Sequence, residues 1–197
     1  MPDNPNAITQ EGLDLEQAVG RCVLAWSSVE FALSVLFCSV LQTDGAVAHA
    51  TFAAIRSFNA RLKMLNDAFA ARYTKLDEPP RSDWKLLYNS CNSLNALRNQ
   101  VAHSFMVVAL DEDTEAPEHV LMPYFVLTAT NFKINLKDVS ARTAQFYELR
   151  GAIDWLLWSM GYVKMQPPGS PRPTPDLVLR LRDEAARNRA KTSRPPR

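Results

Sequence analysis

Glycine, cysteine and histidine are all scarce in this chain. Its 197 residues contain six Gly, three Cys and three His. So little Gly argues against a turn-rich fold of many short strands and favours helices. The cysteines stand inside apolar helical patterns and not at paired spacings, which predicts reduced, buried thiols and neither disulfides nor a zinc site. They are Cys22, Cys38 and Cys91.

Clusters of metal-binding side chains are also missing. His49 and His119 have no acidic or Cys partner at ligand spacing, and we predict that both are structural or exposed. The acidic residues in the segment 111–118 (Asp111, Glu112, Asp113, Glu115 and Glu118) lack the Gly turn and bidentate Glu of a calcium loop, so a solvated hairpin tip is expected there. The sequence therefore predicts no metal and no cofactor.

No secretory pattern and no uninterrupted membrane segment are evident. The first ten residues lack a basic start followed by an apolar run, so we expect a cytoplasmic protein. The apolar stretch that follows is interrupted by serines and by Glu30, whose charge would be costly in lipid. This pattern predicts a core helix, or one covered by a partner subunit, and no membrane span.

Charge is distributed unevenly along the chain. Residues 164–197 hold nine Lys/Arg against three Asp/Glu, whereas the rest has an acidic excess. We predict a flexible N-terminus (1–13), a helical domain (14–163) and a Pro-rich basic tail (164–197) that is disordered or partly helical. The tail either contacts nucleic-acid phosphates or is a solubilising extension. Its candidate contacts are Arg180, Arg182, Arg187, Arg189 and Lys191.

Apolar spacing predicts helices over 14–42, 46–56, 58–75, 82–103 and 138–161, with Asp14 and Ser57 as N-caps. Between the last two helices, 105–110 and 120–128 have β-type composition, and a third short strand around Ile134 fits the alternation. The fold class expected is mainly α: a bundle of four to five helices with a small β-hairpin or meander after the fourth.

The end of the fourth helix carries the chemistry-bearing motif, Arg98, Asn99 and His103. A guanidinium pairs with phosphate oxygens two at a time, and an imidazole accepts or donates a proton near neutral pH. A structural interpretation is equally open, with Arg98 as a solvated cation near a helix C-terminus and His103 as a helix-ending residue. Glu30 either forms an ion pair, with Arg98 as candidate partner, or is a surface carboxylate.

The Trp-Ser-x-x-Glu pattern (Trp26 and Glu30) and the Arg-Asn-x-x-x-His motif, set among antiparallel helices, resemble the HEPN superfamily of nucleotide-binding helical domains. The resemblance covers about 14–161. It implies a metal-independent endoribonuclease in a toxin–antitoxin or phage-defence setting, acting as a homodimer on RNA, with an antitoxin or regulatory protein as a further partner. Phe105 stands where some members carry a Tyr that is modified with AMP.

In such domains two copies of the motif line one cleft. The resemblance implies that His103 moves the proton of the ribose 2′-OH, that Arg98 stabilises charge on phosphorus and that Asn99 orients the pair, with Trp26 and Glu30 in support. An ideal helix places Arg98 and His103 about 140° apart, which favours either a combination of residues from two chains or a helix that ends before His103. The alternative function is a catalytically inactive HEPN-like dimerisation module that binds a partner protein, a nucleotide or nucleic acid.

Overall fold

A computed structural model describes residues 9–75, 79–110, 117–123, 133–177 and 180. This part of the chain is mainly helical with one two-stranded antiparallel sheet, which confirms the predicted class at that level. The elements are α1 (Gln10–Leu41), α2 (Gly45–Ala54), α3 (Phe58–Arg72), α4 (Pro79–Ala102), β1 (Ser104–Leu110), β2 (Pro117–Pro123) and α5 (Leu136–Ser159).

The central element is α1, which contacts each of the four other helices. Trp26 lies at its middle, 1% exposed, with its ring 5.1 Å from Phe58 of α3 and 5.0 Å from Phe146 of α5. The helix is long and apolar enough to cross a membrane by length and composition, but most of its apolar window is buried against the rest of the protein. It is the core helix that the interrupted apolar pattern predicts.

The directions of the helices follow from paired contacts. Trp26 and Ser28 of α1 contact Phe146 and Arg150 of α5, in that order, so the two helices run the same way. α3 also runs with α1, whereas α4 runs against α3. α4 therefore runs against both α3 and α5, as expected of antiparallel helices, and α1, α3 and α5 share one direction.

Helix starts differ from the predicted ones where another residue caps better. Thr9 accepts a hydrogen bond from the Gly12 N–H, so α1 begins four residues before Asp14. Asn135 caps α5, and Asp138, the predicted start, completes the capping box as the third helical residue. Ser57 caps α3 as predicted. α4 starts at Pro79, since proline is well tolerated in the first turn.

The β-hairpin pairs Ser104 with Pro123 and Leu110 with Pro117. The predicted third strand is reduced to a single bridge between Leu121 and Ile134, and the chain becomes helical two residues later. The acidic residues 111–115 of the predicted hairpin tip, and the part of the predicted second strand from 124 to 128, lie outside the described residues.

The start of the predicted tail packs on the bundle, and we call residues 170–177 the strap. Leu177 is 2% exposed and Ser170 7%. The Arg172 guanidinium lies 3.7 Å from the Asp83 carboxylate of α4 and 5.4 Å from the centre of the Trp155 ring of α5. The Pro-rich composition suggested no means of packing, but prolines and a cation over an aromatic ring fill this surface.

One buried cation lacks partners. Arg142 of α5 is 2% exposed, and its Nε and Nη1 have no hydrogen-bond partner within the described part of the chain. Burial lowers the pKa of this guanidinium, an effect that the Asp138 carboxylate one turn earlier opposes. Unpaired buried donors destabilise the folded state.

Replacing this cation should therefore stabilise the protein. We expect Arg142→Met to raise the free energy of unfolding by about 1–3 kcal/mol, because the Met side chain fills similar space without unpaired donors. The control is Arg150→Met, which should lower it, since Arg150 binds Asp154 and the Ser28 carbonyl. Urea unfolding measures both. A loss of stability in Arg142→Met would contradict the interpretation.

The strap predicts a pH-dependent effect. Burial raises the Asp83 pKa above its ordinary 3.8, and Arg172 opposes this rise. In Arg172→Ala the pKa of Asp83 should rise further and the unfolding free energy near pH 7 should fall by about 1 kcal/mol.

The loss of unfolding free energy in Arg172→Ala should be complete at pH values above the raised pKa of Asp83. It should shrink as the pH falls through that pKa towards 3.8, because a protonated carboxyl has no charge for Arg172 to neutralise. Urea unfolding at both ends of this range is the measurement. Arg180→Ala, at an exposed position beyond the strap, should change nothing. A loss of equal size at both pH values would assign the effect to packing on Trp155 instead.

Candidate functional site

A polar cleft of about 210 Å³ lies where the middle of α1 meets the start of α3 and the end of α4. Three guanidinium groups and one carboxylate line it, so its charged side chains carry a net positive charge. Amide and hydroxyl groups complete the lining. The residues are Glu30, Arg56, Ser57, Phe58, Asn59, Arg61, Asn95, Arg98 and Asn99.

Glu30 is the common partner within this cleft. Its Oε1 accepts a hydrogen bond of 2.8 Å from the Trp26 indole, and its Oε2 accepts one of 3.2 Å from Arg61. Arg98 Nη2 lies 4.0 Å from Oε1. The ion pair with Arg98 is thus present but is the looser of the two. Trp26 itself lies in the core and acts by holding the carboxylate.

Arg98 and Asn99 lie together at the edge of the cleft. Arg98 Nη1 donates to the Asn99 side-chain oxygen at 2.9 Å, and the Arg98 side chain is 36% exposed. Glu30 and Asn99 therefore hold the guanidinium from two sides while part of it faces solvent. Such an arrangement presents a pre-oriented cation to an anionic ligand.

His103 does not line the cleft. It is the first residue after α4, is exposed, and its backbone N–H donates to the Asn99 carbonyl at 3.0 Å. Within one chain the cleft therefore brings Arg98 and Asn99 together without the His103 side chain.

Two polar atoms of the cleft are buried without a partner among the residues that the structure describes, Arg61 Nε and Asn95 Oδ1. Asn95 uses its Nδ2 to donate to the Asn59 side chain at 3.4 Å. Buried polar groups in proteins are almost always paired, and exceptions gather at functional sites. One donor and one acceptor in the lining of the cleft are thus unpaired within the described part of the chain.

Sequence reasoning missed Arg56, Arg61 and Asn59. Arg61 reaches Glu30 across 31 positions, which requires α1 and α3 to lie side by side. The only local signal is that Arg56 and Asn59 flank the Ser57 cap, so they sit at a helix N-terminus, where anions bind readily.

The remaining sequence-predicted residues divide as follows. Arg180 is exposed, whereas the other four candidate tail cations, Arg182, Arg187, Arg189 and Lys191, lie outside the described residues. The cysteines are free and buried as predicted, and burial raises the pKa of the Cys91 thiol to about 12. His49 contacts Ser34. The ring of His119 lies 3.1 Å from the Glu11 carboxylate, a contact between residues that are far apart in the sequence.

Within the described ranges, no group of three His, Cys, Asp or Glu side chains is placed to hold a metal ion. The chain matches no family model, and neither a curated protein nor a solved structure matches it significantly. The geometry of the cleft is therefore the basis for any functional conclusion.

The position of Glu30 predicts opposite effects on stability and on anion binding. Glu30→Gln should lower the free energy of unfolding by about 1–2 kcal/mol, because charge-assisted bonds from Arg61 and Arg98 are weakened. The same change should raise phosphate affinity severalfold, since the cleft loses its only carboxylate. Urea unfolding and phosphate titration calorimetry measure these effects. Glu16→Gln, at an exposed position of α1, should alter neither; unchanged phosphate binding in Glu30→Gln would contradict the assignment.

Proposed function

We propose that this protein is a metal-independent endoribonuclease of HEPN type that acts as a homodimer in the cytoplasm. The observation that carries the proposal is the Arg98 guanidinium, which Glu30 and Asn99 fix at the edge of a polar cleft while part of it faces solvent. An exposed histidine, His103, is the first residue after the helix that carries Arg98.

In the proposed reaction, the cleft binds a phosphodiester of RNA through its guanidinium groups. His103 accepts the proton of the 2′-OH as the 2′ oxygen attacks phosphorus. The bond from phosphorus to the 5′ oxygen breaks, and that oxygen takes a proton from the second imidazole of the dimer. Arg98 stabilises the charge that develops on the phosphoryl oxygens. The products are a 2′,3′-cyclic phosphate and a 5′-OH, and DNA is spared because it lacks the attacking hydroxyl.

In this proposal dimerisation is required for catalysis, because Arg98 lines the cleft of its own chain whereas His103 of the same chain does not. A second copy related by a two-fold axis would bring its His103 towards the first copy's cleft. Exposed apolar side chains on α1 support such an interface: Leu24 is 70% exposed and Phe31, next to Glu30, is 56% exposed. A toxin–antitoxin or phage-defence setting, with an antitoxin as partner, belongs to the same proposal.

One observation favours the second candidate, a catalytically inactive HEPN-like module. Because His103 lies outside the cleft, the cleft of a single chain is equipped to bind an anion but not to move a proton. A module of this kind would dimerise and bind a nucleotide, nucleic acid or partner protein through the same arginines.

RNA cleavage in EDTA separates the two candidates. We expect the wild type to cut RNA and not DNA, His103→Ala to lose about 10²- to 10⁴-fold in rate, and Arg98→Ala to lose about 10²- to 10³-fold. His49→Ala, a histidine change on α2 outside the cleft, is the matched control and should retain activity.

Mixing the two inactive variants tests the shared site. A hybrid dimer contains one intact Arg98 facing one intact His103 and lacks the second imidazole, so the mixture should regain part of the wild-type activity, above that of either variant alone. Equal cleavage by the wild type and His103→Ala, or none by either, would remove the enzyme proposal and leave the binding module. Activity that is not regained on mixing, from variants shown to form hybrid dimers, would argue against a composite site.

A further inference from the structure

A second concave surface lies on the seam between α3 and α4, with a volume of about 290 Å³. We call it the aromatic groove. Its floor consists of Phe69, Trp84 and Tyr88, and amide and cationic side chains form its rim. The rim residues used below are Asn66, Lys85 and Asn89.

The floor is a rigid aromatic stack. Phe69 and Trp84 lie 4.9 Å apart with their planes 7° from parallel, and the Tyr88 ring meets Trp84 at 6.1 Å, edge to face. The Trp84 indole donates to Asn66 at 3.2 Å, which fixes its orientation. Phe69 and Trp84 are each 1% exposed, so the half-buried Tyr88 is the aromatic surface that a ligand can reach.

The aromatic groove and the polar cleft lie on the same seam. Asn59 meets Asn95 at the cleft, and Asn66 meets Trp84 at the groove, as two antiparallel helices require. Along α4, four asparagines recur at intervals of three or four residues, which places them on one face: Asn89, Asn92, Asn95 and Asn99. From Asn99 to Tyr88 this face extends about 16 Å, given a rise of 1.5 Å per residue.

We propose that the aromatic groove binds one unpaired base of the RNA strand whose phosphate occupies the polar cleft. This inference rests on the proposed function and adds a substrate-binding subsite to it. A base offers a flat apolar face for Tyr88 and polar edges for the amides of Asn66 and Asn89. The exposed Lys85 suits the adjoining phosphate, and among the residues that the structure describes the lining contains no acidic side chain that would repel it.

The aromatic floor of the groove also predicts whether single-stranded or double-stranded RNA binds. A base reaches an aromatic side chain only when it is unstacked and unpaired, so single strands should bind and duplexes should not. Amide groups hydrogen-bond to base edges without needing a charge, so the asparagines at 89, 92, 95 and 99 suit contacts with unpaired bases.

Binding of a non-cleavable RNA tests this subsite separately from catalysis. The probe is a short fluorescent single-stranded oligoribonucleotide with 2′-O-methyl groups, followed by fluorescence anisotropy. We expect Tyr88→Ala to weaken binding by about 5- to 100-fold, the range for loss of one stacked base. Tyr88→Phe should bind as the wild type does. Tyr147→Ala, an exposed tyrosine on α5, is the matched control and should have no effect.

Circular dichroism and urea unfolding show whether the Tyr88→Ala variant is folded. Lys85→Ala, at an exposed position on the rim, is a second variant of the groove that leaves the aromatic stack intact. Unchanged RNA affinity in both variants, together with weaker binding by Arg98→Ala, would overturn the subsite and leave the nuclease proposal standing. Binding of free adenosine monophosphate as tight as that of the oligonucleotide would assign the groove to mononucleotides and overturn the strand proposal. Absence of any binding to RNA would overturn it as well.

Discussion

The contact of Glu30 with Arg61 and Trp26 is the constraint on which the candidate site depends. A carboxylate on the central helix α1 is held by the Trp26 indole, which the core fixes between Phe58 and Phe146. It fixes Arg61 of α3 and, more loosely, Arg98 of α4. Three helices thus meet at one anionic side chain, and the positions of the surrounding cations follow from how α1 packs. The core and the cleft are for this reason a single structural unit.

Local charge and overall charge differ in this protein. Residues 1–163 carry an acidic excess, which alone would argue against an RNA-binding surface. The cleft nevertheless has three guanidinium groups around one carboxylate, and the described lining of the aromatic groove has cations but no acid. Because exposed charges are screened beyond about 10 Å at moderate ionic strength, a phosphate responds to these neighbours more than to the net charge.

The sequence was sufficient for the helices and for much less of the site. Apolar spacing located α1 to α5, and the Ser57 cap followed from local rules. The placement of α1 beside α5 could not be read from the sequence, because periodicity carries no information on how distant helices pack. Arg61 was missed for the same reason: on α3 alone it is indistinguishable from a solvated cation, and its partner lies 31 positions away.

The strap has a consequence for where the basic end of the chain begins. Arg172 is anchored to Asp83, the residue before Trp84, so the polypeptide leaves the bundle beside the start of α4 rather than beside its end. Arg180, the exposed cation that follows the strap, is joined to this anchor by only a few residues. Covalent linkage therefore raises the effective concentration of its guanidinium around the groove end of the seam.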